Sequence, residues 1–136
     1  VGKAGPWIID ELRITAGTGT VDTAVLKLSH TDGREIREAA EGDGPVAAAF
    51  QALEAGTGIE LTLKNFEVRG VTVGDDAQGE VTVTVEYNQQ SFRGHAVSTD
   101  IVESAAFAYL EVINRILRRH DSNGDIEEKT IAVGNP

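Results

Sequence analysis

Residues 80–119 read EVTVTVEYNQQSFRGHAVSTDIVESAAFAYLEVINRILRR, and this stretch contains two hydrophobic periods in succession. In residues 81–87, apolar residues alternate with threonine and glutamate, which is the period-two pattern of a half-buried strand. A polar turn at 88–90 leads into a further predicted strand at 91–97. From Val102 to Leu117, apolar residues recur with the 3.6-residue period of one helix face. The stretch therefore predicts strand, strand and helix, in that order.

Local signals mark both ends of the predicted helix. Asp100 is a suitable N-cap residue, and Glu103 three residues later completes a capping-box pattern. Arg118 and Arg119 lie near the C-terminal end, where positive charge complements the helix dipole. The periodicity is lost after His120, so we expect the helix to end there. Residues 121–136 are predicted to form an extended or disordered tail.

The sequence upstream repeats this pattern. When the chain is shifted by 56 positions, its first half aligns with its second half without a gap, and identical residues coincide at Glu11 and Glu67, Val25 and Val81, and Ala40 and Ala96. Self-similarity at a fixed offset indicates that one structural unit is used twice. The strands predicted from the two copies together are Trp7–Ala16, Val21–Ser29, Arg34–Ala40 and Phe66–Val73, in addition to those described above.

The helix of the first copy has clear limits. Pro45 suits the first helical position, where its missing N–H group is harmless. Gly56 and Gly58 are expected to end the helix. The repeat then predicts an α+β fold of two βββα units related by a pseudo-twofold axis, with helices packed against three-stranded antiparallel sheets. One domain would cover residues 1–120, with repeats at about 7–58 and 61–119.

The composition limits the classes of partner. The 136 residues carry a formal net charge of −10, with an isoelectric point near 4.6. This charge argues against nucleic acids and anionic membranes, because both attract basic surfaces. The chain has no cysteine, no apolar run of membrane-spanning length and no signal-peptide core at its start. We expect a cytoplasmic protein.

The sequence carries no catalytic constellation. The three histidines, His30, His95 and His120, are scattered and lack metal-ligand spacing. There is neither a nucleophile elbow nor a glycine-rich phosphate loop ending in Lys-Ser or Lys-Thr. We therefore expect no catalytic activity, no bound metal and no cofactor in this chain.

The segment between the third strand and the first helix is the strongest candidate for binding. Gly42 and Gly44 would let the backbone approach a ligand, and the start of the following helix offers free N–H groups to a carboxylate. Asp43 could receive an ammonium group, so the segment suits the zwitterionic head of an amino acid. The alternative is a tight turn without a binding role. At the equivalent place in the second copy, residues 98–101 favour helix capping, and residues 74–78 form either a polar turn or a binding loop.

Taken together, these segments resemble the C-terminal regulatory domain of 2-isopropylmalate synthase. The resemblance covers about residues 7–118 and rests on the order and spacing of the segments 42–46, 76–83, 98–101, 108–110 and 113–115. It implies a homodimer that binds leucine near the interface as a feedback inhibitor of leucine biosynthesis. It also implies a separate catalytic TIM barrel, an acyltransferase that condenses acetyl-CoA with 2-oxoisovalerate and of which this chain has no part.

The resemblance also implies the effector contacts. Phe66 stands where the family often has tyrosine, and Gly70 stands where alanine is common. Two alternatives remain open, namely an isoleucine-sensing regulatory domain of citramalate synthase and a purely structural dimerisation module. The residues assigned to the effector site by the resemblance and by the glycine segment are Gly42, Asp43, Gly44, Val46, Ala47, Leu63, Phe66, Gly70, Ala77, Asp100 and Ile101.

Overall fold

The computed structural model describes the backbone of residues 5–134 and the side chains of residues 5–120 other than Val73. Two three-stranded antiparallel sheets have the orders β1-β2-β3 and β4-β5-β6, and a helix follows each sheet in the chain. This arrangement confirms the predicted α+β fold of two βββα units. The elements are β1 (Trp7–Thr15), β2 (Asp22–His30), β3 (Glu35–Gly42), α1 (Pro45–Thr57), β4 (Thr62–Val73), β5 (Asp76–Tyr87), β6 (Gln90–Ser98) and α2 (Ile101–Gly134).

The central strand of each sheet contributes fully buried side chains to the core. Leu26 and Leu28 of β2 are fully buried, as are Val83 and Val85 of β5, and the residues between them face outward. Helix α1 covers mainly β2 and β3, and α2 covers mainly β5 and β6. The edge strands β1 and β4 are therefore left with inward-facing apolar residues that the helices only partly cover.

The two units do not correspond at one constant offset. A β-bulge lies at Asp10 in β1 and at Lys64 in β4, which relates these strands by 54 positions (64 − 10 = 54). Cross-strand pairs give the other offsets: Asp22 pairs with Gly42, and Gly79 pairs with Ser98. These pairs relate β2 to β5 by 57 positions (79 − 22 = 57) and β3 to β6 by 56 (98 − 42 = 56).

The prediction of an ungapped 56-residue repeat is therefore wrong for the first two strands of each unit. A one-residue slip moves a side chain to the other face of a sheet, and Val25 lies outside the core while its sequence counterpart Val81 is fully buried. The hairpin lengths explain the slip. Residues 16–21 form a loop in the first unit, whereas β4 and β5 continue to a two-residue turn at 74–75 in the second.

The predicted start of α1 and its end at Gly58 are confirmed, whereas Gly56 lies within the helix. Gly44 is the N-cap with a φ of 114°, Pro45 begins the helix, and Gly58 is a left-handed C-cap with a φ of 79°. The Gly58 N–H group donates to the carbonyl oxygen of Glu54 at 2.9 Å. Glycine is required at both caps because these φ values are costly for residues with a Cβ atom.

The start of α2 matches the prediction only in part. Asp100 is the N-cap, since its Oδ1 accepts hydrogen bonds from the N–H groups of Val102 at 2.8 Å and Glu103 at 3.2 Å. The capping box is wrong, because the Glu103 carboxylate accepts a hydrogen bond from the Ser98 hydroxyl group instead of the Asp100 N–H group. The Asp100 N–H group donates to Ser98 Oγ at 3.3 Å.

The far end of α2 also differs from expectation. In place of an extended tail after His120, the backbone continues as helix to Gly134. Residues 135–136 of the predicted tail lie outside the described residues. The division of the chain into a domain at 1–120 and a tail stays a prediction.

The two units close on each other through their helices. The Phe50 ring of α1 stacks on the Tyr109 ring of α2 at 3.8 Å between centroids, and the Tyr109 hydroxyl group donates to Glu54 Oε2 at 2.5 Å.

Asn114 of α2, only 1% exposed, accepts from the Trp7 N–H group at 2.9 Å and donates to the Trp7 carbonyl oxygen at 2.8 Å. The last helix thus holds the first strand, and the core is continuous across both units.

Candidate functional site

The glycine segment before α1 brings the end of β3 against the helix backbone. A Cβ atom on Gly42 would lie 2.3 Å from the backbone nitrogen of Ala48, so only glycine fits. Gly44 faces open space, and its φ of 114° explains its identity. The two glycines therefore serve different ends: Gly42 permits close packing, and Gly44 permits the turn.

The start of α1 has free hydrogen-bond donors. No side chain caps this helix, and the first intrahelical bond runs from the Ala48 N–H group to the Gly44 carbonyl oxygen at 3.0 Å. The N–H groups of Val46 and Ala47 precede that bond, so they have no partner within the helix. They lie at the positive end of the helix dipole, an arrangement that attracts an anion. Asp43 is exposed beside them.

Strand β4 supplies an apolar surface near α1. The Phe66 ring lies 6.3 Å from the Phe50 ring of α1 in an edge-on arrangement, and Val46 and Phe66 both pack against the core. Leu63 is 43% exposed and Val68 is 50% exposed, although both pair with buried valines of β5 and so share their face. A branched apolar group could pack on this surface, which meets α1 at the Phe66–Phe50 contact.

The remaining predicted residues lie around the β4–β5 hairpin and the start of α2. Gly70 pairs with Gly79, and Ala77 pairs with Thr72 near the tip of the hairpin. Ile101 packs against Gly79, because a Cβ atom there would lie 2.1 Å from Ile101 Cδ1. Asp100 is occupied as the helix cap. Ile101 and Asp100 thus have structural roles in the described part of the chain, and their effector role stays a prediction.

Sequence reasoning missed a groove that the structure shows elsewhere among the described residues. It has a volume of about 330 Å³ and lies between β1 and the start of α2. Of the predicted residues, it includes Asp100 alone. Its strand residues are the counterparts of the β4 surface at an offset of 54, a relation that the constant 56-residue alignment concealed. Its lining comprises Ile9, Asp10, Glu11, Leu12, Ile14, Asp100, Val102, Glu103 and Phe107.

Two further clusters contain titratable groups, one beside Phe50 and one on the second sheet. Burial, together with the Glu54 carboxylate, raises the pKa of the Tyr109 hydroxyl group, so Tyr109 stays a neutral donor. On the outer face of the second sheet, Glu80 accepts a hydrogen bond from Arg69 Nε at 2.8 Å and contacts His95 Nε2. These His95 and Arg69 contacts lower the pKa of the Glu80 carboxyl group.

Neither a grouping of metal ligands nor a membrane-spanning helix occurs in the described part of the chain. Among the described residues, no three His, Asp or Glu side chains are grouped so as to hold a metal ion. Within that range no helix is both long and apolar enough to cross a membrane.

Comparison with known proteins places these features in a family context. Residues 2–117 match the family model described as the LeuA allosteric (dimerisation) domain. The chain is 44% identical over 109 residues to a 2-isopropylmalate synthase of Ruminiclostridium cellulolyticum, which covers 80% of this chain and 21% of that enzyme.

Other relatives have the same name and a similar extent of match. The identity is 40% over 115 residues to the 2-isopropylmalate synthase of Xanthomonas campestris pv. campestris, covering 85% of this chain and 22% of the relative. It is 42% over 105 residues to that of Stenotrophomonas maltophilia, covering 77% and 20%. The chain therefore spans about a fifth of the length of the curated relatives it matches.

Proposed function

Because the chain belongs to the LeuA allosteric (dimerisation) domain family, we propose that it binds leucine at the start of α1 as a feedback inhibitor. The complete protein would be a 2-isopropylmalate synthase, in which this domain regulates and dimerises a separate catalytic part. The single observation that supports the ligand is the uncapped start of α1 beside an exposed apolar surface on β4.

Each part of leucine has a complementary group. The carboxylate accepts hydrogen bonds from the N–H groups of Val46 and Ala47, at the positive end of the helix dipole. Asp43 provides the negative charge for the ammonium group. The isobutyl group packs among Val46, Leu63 and Phe66. Phe66 has no hydroxyl group, so the contact it makes with the ligand is apolar.

A second copy of the chain would complete the site. The apolar face of β4 is too exposed for a monomer at Leu63 and Val68, and contiguous exposed apolar surface commonly marks an interface. In the proposed homodimer this face is covered by the partner. Leucine would then bind one arrangement of the two subunits more tightly and shift the catalytic part toward a less active state.

Calorimetry with leucine, isoleucine and valine tests the proposed ligand. We expect the 136-residue chain to bind leucine more tightly than the other two. Asp43→Asn and Phe66→Ala should both weaken binding, whereas Leu12→Ala, at the equivalent position on β1, should leave it unchanged. Absence of heat with all three amino acids at millimolar concentration would contradict the proposal.

The outcome also separates the alternatives. Preference for isoleucine would favour a regulatory domain of citramalate synthase. A stable dimer whose melting temperature is unchanged by any branched-chain amino acid would favour a purely structural dimerisation module. The segment at 76–80, Asp-Ala-Gln-Gly-Glu, supports the leucine enzyme.

A further inference from the structure

A cluster of three aromatic rings connects both helices to the apolar surface of β4. The Phe50 ring of α1 lies parallel to the Tyr109 ring of α2, with 8° between the ring planes, and its centroid is 6.3 Å from that of the Phe66 ring. Phe50 and Tyr109 are buried, and Phe66 of β4 is partly buried. A residue of α2 therefore supports, through Phe50, the β4 side chain that we expect to contact the ligand.

A single carboxylate joins the same two helices to the start of β4. Glu54 Oε2 accepts hydrogen bonds from the Tyr109 hydroxyl group at 2.5 Å and from the Leu61 N–H group at 3.2 Å. Burial, together with this carboxylate, raises the pKa of Tyr109, so its hydroxyl group keeps the proton that it donates. Because β4 begins directly after Leu61, Glu54 holds the beginning of that strand beside both helices.

This contact is the counterpart of the one between Asn114 and Trp7. The β-bulges relate β1 to β4 by 54 positions, so Trp7 corresponds to Leu61, and in both places a helix side chain accepts a hydrogen bond from the backbone N–H group. Asn114 also donates to the Trp7 carbonyl oxygen. The Glu54 carboxylate cannot donate, and its second hydrogen bond comes from Tyr109 instead. The hold of Glu54 on β4 therefore depends on α2.

We propose that Glu54 and Tyr109 are positioning residues that determine how well the site distinguishes leucine from smaller amino acids. This inference rests on the proposed leucine site. Leu63 and Phe66 follow closely after Leu61, so a displacement of the start of β4 displaces the apolar wall relative to the N–H groups at the start of α1. The separation of the wall from those donors sets the length of side chain that the site accepts.

The first measurement needs no ligand. Amide hydrogen exchange is followed by NMR in the ¹⁵N-labelled 136-residue chain and in Glu54→Ala, which removes the acceptor of both hydrogen bonds. We expect the Leu61 amide to exchange about two- to tenfold faster in the variant, as for one lost hydrogen bond, and the Trp7 amide to be unchanged. An unchanged rate at Leu61 would overturn the inference.

The second measurement is the ratio of the dissociation constants for valine and leucine, determined by calorimetry. In the parent chain we expect a ratio of about ten, since leucine has one methylene more for an apolar pocket. Tyr109→Phe keeps the stacked ring and removes the hydroxyl group, and Glu54→Ala removes the acceptor, so both should lower the ratio about threefold. Glu54→Gln keeps an acceptor and should keep the parent ratio.

Two control variants separate positioning from a general loss of stability. Val112→Ala removes buried methyl groups of α2 that face Gly94 of β6. It should lower the melting temperature and leave the ratio unchanged. Tyr87→Phe removes the hydroxyl group of the other tyrosine, whose ring lies 5.9 Å from the His120 ring, and should also leave the ratio unchanged.

The outcomes distinguish this inference from the proposed function. A parent chain that prefers leucine, with the same ratio in Tyr109→Phe and Glu54→Ala, would refute the positioning role alone. An equal fall of the ratio in Val112→Ala would refute it too, because lost stability would then explain the effect. Absence of binding to the parent chain would refute the proposed function and, with it, the selectivity inferred here, whatever the exchange rate at Leu61.

Discussion

The two βββα units begin their helices in opposite ways on the same backbone plan. In the first unit, Gly44 leaves the N–H groups of the first turn of α1 without a side-chain cap. In the second unit, Asp100 accepts two of the corresponding groups of α2. A helix start with free donors gives up stability but can bind an anion, whereas a capped start gains stability and loses that capacity. The comparison indicates how a repeated unit can divide binding and stabilisation between its copies.

The packing of strand against helix differs between the units in a compensating way. Near the end of α1, Gly56 leaves room for the Glu38 side chain of β3. The counterparts, 56 positions on, are Val112 of α2 and Gly94 of β6, so the small residue has moved from the helix to the strand. A Cβ atom on Gly94 would lie 2.2 Å from the Ala108 carbonyl oxygen. The helix and sheet of the second unit therefore approach more closely at this point.

The largest effect is expected from Gly94→Ala. Because the new methyl group meets backbone, α2 must move away from β6, and we expect a loss of about 3 kcal/mol in the free energy of unfolding, in the upper range for overpacking. Urea denaturation measures it. Glu38→Ala at the counterpart position should change stability by less than about 0.5 kcal/mol. Equal effects at the two positions would refute the compensating arrangement.

The second-largest effect is expected for the hydrogen bonds that connect each helix to the start of the first strand of the other unit. Asn114→Leu leaves the N–H and carbonyl groups of Trp7 without these bonds, and we expect a loss of about 2–3 kcal/mol. In the first unit, Glu54 accepts a longer hydrogen bond, of 3.2 Å, from the Leu61 N–H group. Glu54→Gln keeps an acceptor for both the Leu61 N–H group and the Tyr109 hydroxyl group, and we expect it to cost less than about 1 kcal/mol. Thermal unfolding measures the loss of stability in both variants. A larger loss in Glu54→Gln than in Asn114→Leu would contradict the prediction.

The helix caps should give a smaller difference. Asp100→Ala removes the acceptor for two N–H groups of α2, and we expect a loss of about 1 kcal/mol. The neighbouring exposed change Thr99→Ala serves as the control, with an expected change near zero. Chemical denaturation measures both. An Asp100→Ala variant as stable as the control would show that the cap contributes nothing and would remove the contrast between the helix starts.

The smallest effect is the pH dependence that Glu80 contributes in the second unit. Folding lowers the pKa of Glu80 below its ordinary value of 4.5, so its contribution to stability is present above that pH and is lost as the pH falls through the folded-state pKa. At the offset of 57, its counterpart is the uncharged Thr23. The melting temperatures of Glu80→Gln and the parent chain should therefore converge between about pH 6 and pH 3. A constant difference across this range would contradict the prediction.

The sequence predicted the elements of the fold well because their signals are local. The alternation at 81–87, the Pro45 start and the glycine end of α1 are fixed by backbone geometry and burial, and the structure confirms each. The register of the repeat could not be predicted in the same way. Matches such as Glu11 with Glu67 lie on exposed positions that packing does not constrain, whereas the bulge at Asp10 and Lys64 depends on pairing between strands.

The candidate site could be predicted only where it depends on a single segment. The glycines before α1 predicted an uncapped helix start, and α1 begins there without a side-chain cap. The β1–α2 groove was missed because its walls come from residues about 90 positions apart and its strand residues match β4 only at the corrected offset. The capping box at Glu103 failed because Ser98, at the end of β6, competes for that carboxylate.

Hydrogen bonds from α2 to the first strand bring the part of α2 near residue 118 beside residue 5, near the start of the described chain. Asn114 holds Trp7, and Arg118 donates to the carbonyl oxygen of Gly5, so the first described strand begins beside α2. In the first unit, the short segment after Gly58 is the covalent connection from α1 to β4. A circular permutant that opens at residues 59–60 and links residue 119 to residue 5 should therefore keep both units. The order in which the two halves are synthesised would then matter little to the native state.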